Sequence, residues 1–243
     1  MKTIKLQPIM SEKEADNLVG KFLTEKQVKH HITEDTEVFK ENGDLLCVLK
    51  KNAVQSENAR IPFRKSALKS NNRGHASGDI DTIYKIGDKI DGRIIGKING
   101  SKYIPILSNG KLSKTSYSLP VNSSVIGYMD RYPRIPYCRT TSFSQSHFQE
   151  YNMCIPYIQT INQVFKQYAP HRYKVQKAMA DASSQDFIIK DTAFTTVTVN
   201  KNFRTAGHKD AGDLKEGFGN LGVISRGKYK GFITVLPRYG VGL

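Results

Sequence analysis

The pattern of apolar and polar positions in the first half of the chain predicts one helix followed by short strands. Ser11 is placed to cap a helix and Glu14 to complete a capping box, and the apolar face that follows consists of Ala15, Leu18, Val19, Phe22 and Leu23. An apolar run at 44–50, preceded by Asn42-Gly43, predicts a strand. Beyond a polar loop at 69–81, short apolar runs at 93–95 and 103–107 are separated by Asn-Gly turn signals and predict a hairpin-like region.

Helical spacing of apolar residues begins after residue 145. One helix is predicted from Ile155, Ile158, Ile161, Asn162 and Phe165, and a second, after Pro170, from Tyr173, Gln176, Met179 and Ala180. The β-branched and aromatic residues at 187–200 predict strands with a break at Asp191-Thr192, and further strands are predicted at Leu221–Ile224 and Tyr229–Leu236. The pattern as a whole predicts an α+β protein.

The composition indicates a globular protein with a strong positive charge. Hydrophobic residues make up 38% of the 243 residues, and 37 Lys and Arg face 22 Asp and Glu, a formal net charge of +15. This excess favours a polyanionic partner such as nucleic acid over a generally basic surface. Three widely spaced cysteines fit neither a disulfide framework nor a zinc site, and there is no signal peptide or membrane-spanning apolar run. We therefore expect a soluble intracellular protein with no membrane partner.

Candidate chemistry centres on the stretch TAGHKDAGD at 205–213. His208 and Asp210 stand two positions apart beyond a predicted strand, and such side chains share a face and can reach one metal ion. Non-haem Fe(II) oxygenases use this arrangement and complete it with a distant His. The spacing taken alone favours a solvated polar turn, because 6 His and 22 acidic residues in a chain this long give, by chance, an average of roughly half such a pair per chain.

Four longer motifs change that balance: NRGHASG (72–78), GYMDRYPRIPYCRTTSF (127–143), DTAFTTVTVNKNFRTAGHKDAGD (191–213) and GFGNLGVISRGKYKGFITVLPRYGVGL (217–243). Together they resemble the TET/JBP superfamily of 2-oxoglutarate- and Fe(II)-dependent nucleobase dioxygenases, particularly its phage and viral branch. The resemblance implies a core that is a double-stranded β-helix, or jelly roll, with supporting helices. Residues 1–190 would then form the supporting region, and residues 191–243 the first half of the core.

The resemblance also implies roles for individual residues. His208 and Asp210 match the first two iron ligands, and Asn200 and Asn202 lie where such enzymes commonly contact the co-substrate 2-oxoglutarate. Arg73 and Arg139 match recurrent basic positions that face the co-substrate or DNA, with Arg139 the candidate for the co-substrate. The alternative for either arginine is a buried structural pair with Asp130 or Asp81. Asp213 is interpreted as a turn or capping residue, and Cys138 as a small core residue.

One departure from the family pattern concerns the end of the chain. The third iron ligand, a His, and the Arg that binds the distal carboxylate of 2-oxoglutarate lie downstream of the segment that ends here at Leu243. The other histidines all precede His208, and the family's ligand order would not supply the missing one from there. We therefore expect this chain to be the N-terminal part of a longer protein, with an incomplete iron site and an incomplete core.

The implied function is Fe(II)- and 2-oxoglutarate-dependent hydroxylation of a pyrimidine 5-methyl group in DNA, on a base flipped out of the stack. Thymine is slightly favoured over 5-methylcytosine. The expected location is the cytoplasm of a host cell of a phage or virus, or the nucleus. Two alternatives stay open: an oxygenase of the same fold that acts on protein or small molecules, and a non-enzymatic basic DNA-binding or virion-associated protein on a truncated dioxygenase scaffold.

Overall fold

The computed structural model describes residues 1–68, 72–73, 77–131, 135–210, 212–225, 227–228, 231 and 233–243, with residues 72–73, 131 and 135–136 described by their backbone alone. The α-helices are α1 (Glu12–Asp16), α2 (Glu57–Ser66), α3 (Ser142–Ser146), α4 (Phe148–Tyr168) and α5 (Pro170–Ala182), and 3-10 turns lie at Glu25–Gln27, Gln185–Phe187 and Pro237–Tyr239. The strands are β1 (Lys2–Leu6), β2 (His30–His31), β3 (Thr36–Lys40), β4 (Leu45–Leu49), β5 (Asn72–Arg73), β6 (Lys89–Ile90), β7 (Arg93–Asn99), β8 (Lys102–Ile106), β9 (Tyr117–Ser118), β10 (Val121–Arg131), β11 (Ile135–Thr140), β12 (Thr196–Asn200), β13 (Val235–Leu236) and β14 (Val241–Gly242). This mixture confirms the predicted α+β class.

The two ends of the described chain pack together. Strands β1, β3 and β4 form one sheet, in which β1 runs parallel to β3. Strand β14 pairs with β13 and, in parallel, with β2. A shared apolar cluster joins the two sheets through the buried side chains of Ile32, Val38, Tyr239 and Val241. Residues 235–243 therefore pack against the first forty residues of the chain.

A four-stranded antiparallel meander, β6-β7-β8-β9, lies at the end of the first half of the chain. Its inner face packs on a cluster formed by Ile80, Ile95, Tyr103, Leu119 and Val121. Phe203, from the segment that leads to His208, packs against the same cluster. The meander is thereby attached to the chain that carries the candidate site.

The long strand β10 organises the remaining core. It pairs in antiparallel fashion with β11 and with β12, and its first residues pair with β5. Helices α2 and α4 cover this sheet, and the buried side chains of Phe63, Ile126, Cys154, Tyr157 and Ile158 lie between them. Along β12, Val197 and Val199 turn inward to this cluster while the alternate positions are exposed, as expected of a strand with one solvated face.

Several predicted elements are confirmed. Ser11 caps α1, and Glu14 completes the capping box. The predicted strand at 44–50, the hairpin region and the two long helices correspond to β4, to β7 with β8, and to α4 and α5. Helix α1 is shorter than predicted, because it ends at Asp16 and leaves Leu18, Val19, Phe22 and Leu23 in turns and irregular structure.

The strands predicted in the second half are partly wrong. Within 187–200, only Thr196–Asn200 forms a strand, because residues 185–187 form a 3-10 turn and the buried Ile188 and Ile189 are irregular. The predicted strand Leu221–Ile224 is irregular, and Leu221 and Val223 are largely exposed, so no strand among the described residues covers these two side chains. Of the predicted strand Tyr229–Leu236, only Val235–Leu236 is a strand, and Tyr229, Lys230 and Phe232 lie outside the described residues. In the described part of the chain, no helix is both long and apolar enough to cross a membrane.

Candidate metal centre

The side chains of His208 and Asp210 approach each other on an irregular segment that follows β12. Nε2 of His208 lies 3.7 Å from Oδ1 of Asp210, and the two side chains are 41% and 69% exposed. Nδ1 of His208 lies 2.8 Å from the carbonyl oxygen of Ala206, so the ring is oriented with Nδ1–H donating to that carbonyl. Nε2 and the carboxylate are thus presented together at an open surface, where both can bind a cation.

One flank of this loop is fixed by residues 77–79. The segment 204–206 runs antiparallel to them, with a bridge between Gly78 and Thr205. The amide of Asp79 donates to the carbonyl of Arg204 at 2.9 Å, and the amide of Ala206 donates to the carbonyl of Ser77 at 2.7 Å. These bonds place the backbone two residues before His208, including the carbonyl that orients its ring.

The other flank is fixed by the turn that follows α1. The amide of Gly207 donates to the carbonyl of Lys21 at 2.9 Å, and the amide of Gly20 donates to the carbonyl of Gly207 at 2.8 Å. A Cβ atom on residue 207 would stand 2.9 Å from the carbonyl oxygen of Leu18, so the close approach requires glycine. Nζ of Lys209 adds an ion pair with Asp16 at 2.5 Å, and this hydrogen bond raises the pKa of the Lys209 ammonium.

An ion pair between a buried carboxylate and a half-exposed guanidinium joins the first flank to the loop. The Arg204 guanidinium contacts Oδ2 of Asp79 through Nη2 at 2.8 Å and through Nε at 2.9 Å. The Asp79 side chain is 4% exposed, whereas that of Arg204 is 55% exposed. Oδ1 of Asp79 accepts from the amide of Asp81 at 3.1 Å, and the guanidinium lies 4.7 Å from the centre of the Phe22 ring. Asp79 is therefore held by the segment around residue 81, and Arg204 lies against Phe22 in the turn that follows α1.

Sequence reasoning missed this pair, since Asp79 and Arg204 are 125 positions apart. It also missed the contribution of residues 18–21, which the pattern assigned to a longer helix. The only sequence signal is indirect: Gly78 and Gly207 both stand in turn-like contexts, where glycine permits two backbones to come close. Neither glycine indicates which segment the other one contacts.

The remaining predicted site residues lie on strands beside β10 or just beyond them. Oδ1 of Asn200 accepts from the hydroxyl of Ser123 at 2.8 Å at the end of β12, and Asn202 has a positive φ of 58°, in the left-handed region. Arg139 stands opposite Met129, whereas Asn200 stands opposite Ser123. Six positions of extended chain separate those two points, about 20 Å along β10. The structure therefore does not bring Arg139 and Asn200 together.

The surroundings of Arg139 are partly apolar. Its Nε atom is buried without a hydrogen-bond partner among the described residues. The neighbouring Cys138 is half-buried, and burial raises the pKa of its thiol. Asp81 lies 3.8 Å from Arg204 and so belongs to the loop contacts. The side chain of Arg73, the other predicted basic residue, lies outside the described part of the chain.

Asp213 follows the pair in a turn. Its amide donates to the carbonyl of Asp210 at 3.4 Å, which fits the interpretation of Asp213 as a turn residue. Partial burial, with a smaller effect from the Asp210 carboxylate, raises the pKa of the Asp213 side chain. Within the described residues, no group of three or more His, Cys, Asp or Glu side chains is arranged to hold a metal ion. A cavity of about 520 Å³ between β1 and residues 29–36 shares no residue with this site.

Comparison with known proteins concerns mainly the second half of the chain. Residues 124–243 match the Tet_JBP family model, described as the oxygenase domain of the 2OGFeDO superfamily. Thymine dioxygenase JBP1 of Trypanosoma brucei brucei is 39% identical over 124 residues, which are 49% of this chain and 14% of that protein. Thymine dioxygenase JBP1-B of Trypanosoma cruzi is 37% identical over 123 residues, 49% of this chain and 14% of that protein. The bifunctional helicase and thymine dioxygenase JBP2 of Leishmania major is 34% identical over 126 residues, 51% of this chain and 11% of that protein.

The chain thus spans at most 14% of the length of these three relatives. A search of the solved structures found no match. The relatives are trypanosomatid proteins, so the phage and viral branch stays a prediction. The matched range includes His208 and Asp210 but neither of the segments, 16–22 and 77–81, that hold their loop. The comparisons support the TET/JBP superfamily, through its oxygenase domain, for residues 124–243 of this chain.

Proposed function

We propose that this protein is a 2-oxoglutarate- and Fe(II)-dependent dioxygenase that hydroxylates the 5-methyl group of thymine in DNA. The observation that carries the proposal is the approach of the His208 imidazole and the Asp210 carboxylate within residues 124–243, the range that matches the oxygenase-domain family model. Relatives named thymine dioxygenases favour thymine over 5-methylcytosine. In this proposal, residues 191–243 belong to a double-stranded β-helix core that residues 1–190 support.

The donor set fits Fe(II). An imidazole nitrogen and a carboxylate oxygen are the ligand types of non-haem iron sites, and here they stand 3.7 Å apart. The hydrogen bond from Nδ1 to the Ala206 carbonyl leaves the lone pair of neutral His208 on Nε2, the atom nearer to Asp210. His208 and Asp210 would hold the iron, which with 2-oxoglutarate would supply the oxidising power for methyl hydroxylation when bound.

The chain's own contribution is to hold these two ligands in place and to leave them accessible. Hydrogen bonds on both flanks hold residues 204–207, while His208 and Asp210 remain substantially exposed to an incoming co-substrate and base. A thymine in duplex DNA must leave the stack to reach such a site, and the net charge of +15 favours contact with the phosphates around it. Asn200, Asn202 and Arg139 stay predictions as co-substrate contacts, and the separation of Arg139 from Asn200 along β10 requires that each be tested alone.

The test uses the natural full-length protein with the single substitutions His208→Ala and Asp210→Ala. Each should lower succinate formation and the yield of 5-hydroxymethyluracil from a thymine-containing duplex by about 100-fold or more, because loss of even an outer-shell partner of a metal ligand costs about 10- to 100-fold. The reaction contains Fe(II), 2-oxoglutarate and ascorbate. Binding of the iron substitute Co(II) by each variant, followed by absorption spectroscopy, gives a second measurement that does not depend on turnover.

His31→Ala and Asp186→Ala serve as matched controls, since both residues are exposed and lie on other elements. These controls should retain parental activity and Co(II) binding. Parental hydroxylation by His208→Ala or Asp210→Ala would refute the assignment of the ligands. Equal or greater product from a 5-methylcytosine duplex would contradict thymine as the preferred substrate base.

A further inference from the structure

The segment that forms the meander carries an excess of positive charge, and three of its lysines lie on the outer face of the sheet. Between residues 85 and 118 the basic residues are Lys85, Lys89, Arg93, Lys97, Lys102, Lys111 and Lys114, whereas the acidic ones are Asp88 and Asp91. The whole range precedes residues 124–243, which match the oxygenase domain. Its charge is therefore a property of this chain that the comparison with the oxygenase domain does not account for.

A β-bulge places three of the lysines on one face. The ladder between β7 and β8 pairs Ile95 with Pro105 and then Lys97 with Ile104, so Gly96 is the extra residue of a bulge. Without the bulge, Lys97 would share the face of the fully buried Ile95, two positions away. Instead it points outward. A Cβ atom on Gly96 would stand 2.5 Å from side-chain atoms of Ile106, so glycine is required at this position.

The outward lysines form a diagonal line across three strands. Lys89 of β6 is opposite Ile94, Lys97 of β7 is opposite Ile104, and Lys102 of β8 is opposite Asn99. Diagonal neighbours on one face, such as Lys97 and Lys102, lie about 7–8 Å apart. One DNA strand carries a phosphate for every ~3.4 Å of helix axis, so the line is long enough to contact several successive phosphates.

The three ammonium groups are available to a ligand. All three residues are exposed, and within the described part of the chain none of them forms an ion pair. By contrast, Lys2, Lys40, Lys50, Lys177 and Lys209 each have a carboxylate partner. Asp88, the acidic residue next to Lys89, accepts from the backbone amide of Lys85.

We propose that this lysine face, defined by Lys89, Lys97 and Lys102, binds the phosphate backbone of duplex DNA. The proposal rests on the proposed function, to which it adds the surface that holds the substrate. The opposite face of the meander packs on the cluster that Phe203 contacts, five residues before His208, so the meander and the segment that leads to the candidate metal centre pack together. Backbone contacts of this kind position a duplex without reading its sequence.

The test compares two triple variants of the full-length protein. Lys89→Gln/Lys97→Gln/Lys102→Gln removes the lysine face, and Lys5→Gln/Lys26→Gln/Lys166→Gln removes the same charge from exposed lysines on other elements. Affinity for a fluorescent thymine-containing duplex is measured by anisotropy across a series of salt concentrations. In the variant that lacks the lysine face, loss of three phosphate contacts should make the negative slope of log K against log salt shallower by about 3. It should also weaken binding about tenfold or more at low salt.

A third variant, Lys89→Arg/Lys97→Arg/Lys102→Arg, should restore the parental slope because it keeps the charges. Thermal unfolding of each variant identifies any loss of fold, which solvent-exposed substitutions should not cause. A lysine-face variant with the parental slope and affinity, or one no weaker than the control variant, would overturn the proposal and leave the exposed Ile94 and Ile106 of that face to a protein partner.

The outcome can be separated from that of the proposed function. Loss of the lysine face should raise KM for duplex DNA and leave kcat at saturating DNA near the parental value. His208→Ala should do the reverse, abolishing turnover with DNA affinity intact. Failure of one pattern therefore does not imply failure of the other.

Discussion

Replacement of Arg204 by Met tests whether the buried Asp79 carboxylate holds the loop of the candidate metal centre. Met retains the length of the side chain and its packing against the Phe22 ring, but removes both contacts to Oδ2 of Asp79. Among the described residues, Asp79 would keep only the hydrogen bond from the amide of Asp81. A nearly fully buried carboxylate would then have lost its neutralising partner.

The structure sets the size of the effect. Removal of one partner of a fully buried pair costs about 3–5 kcal/mol, and a hydrogen bond to a charged group contributes about 1.5–3 kcal/mol. Arg204 is 55% exposed, so solvent screens its share of the interaction, and Asp79 retains one donor. We therefore expect Arg204→Met to lower the free energy of unfolding by about 2 kcal/mol, nearer to the lower range.

The assay is urea unfolding combined with a double-mutant cycle. Asp79→Asn in the Arg204→Met background removes the buried charge, so the double variant should recover about 1 kcal/mol or more relative to simple addition of the two single effects. Co(II) binding should weaken in Arg204→Met and recover partly in the double variant, because the segment that flanks the His208 loop then no longer contains an unpaired buried charge. Unchanged unfolding by Arg204→Met, or strictly additive single effects, would refute a role for this ion pair.

Two further predictions concern groups inside the fold. Gly207→Ala should lower the free energy of unfolding by about 1–3 kcal/mol and weaken Co(II) binding, because its Cβ would press on the Leu18 carbonyl. The control variant Gly212→Ala should be tolerated, because its Cβ would meet no atom within 4 Å. Equal urea midpoints for the two variants would contradict the packing argument. Burial raises the pKa of the Cys154 thiol to about 12, above its ordinary value of 9.0, so Cys154 should react with a thiol reagent at pH 8 only after unfolding. The Cys154 thiol loses its proton at a higher pH in the folded state than in the unfolded state. Its contribution to the free energy of unfolding should therefore be complete below pH 9 and decline between pH 9 and 12. Cys154→Ala should flatten that decline in a series of unfolding curves, and a decline identical to that of the parent protein would contradict it.

Local signals in the sequence determined the elements that form without distant partners. The Ser11 and Glu14 capping box, the apolar spacing along α4 and the turn signals around β7 and β8 all involve residues a few positions apart. The two-residue spacing of His208 and Asp210 belongs to the same class, because an extended or irregular segment of that length keeps both side chains within reach of one point. For these features, backbone geometry and side-chain chemistry are sufficient.

Contacts between distant residues were decided only by the tertiary structure. The β-branched and apolar residues at 221–224 have strand propensity, yet no strand in the described part of the chain pairs with them, and propensity without a partner does not make a sheet. The sequence also did not predict the separation of Arg139 from Asn200, because that separation depends on the register of β10 with its neighbours β11 and β12. Nor did it predict the pairing of Asp79 with Arg204, because a carboxylate buried by one segment and a guanidinium carried by another meet only when the chain between them has folded.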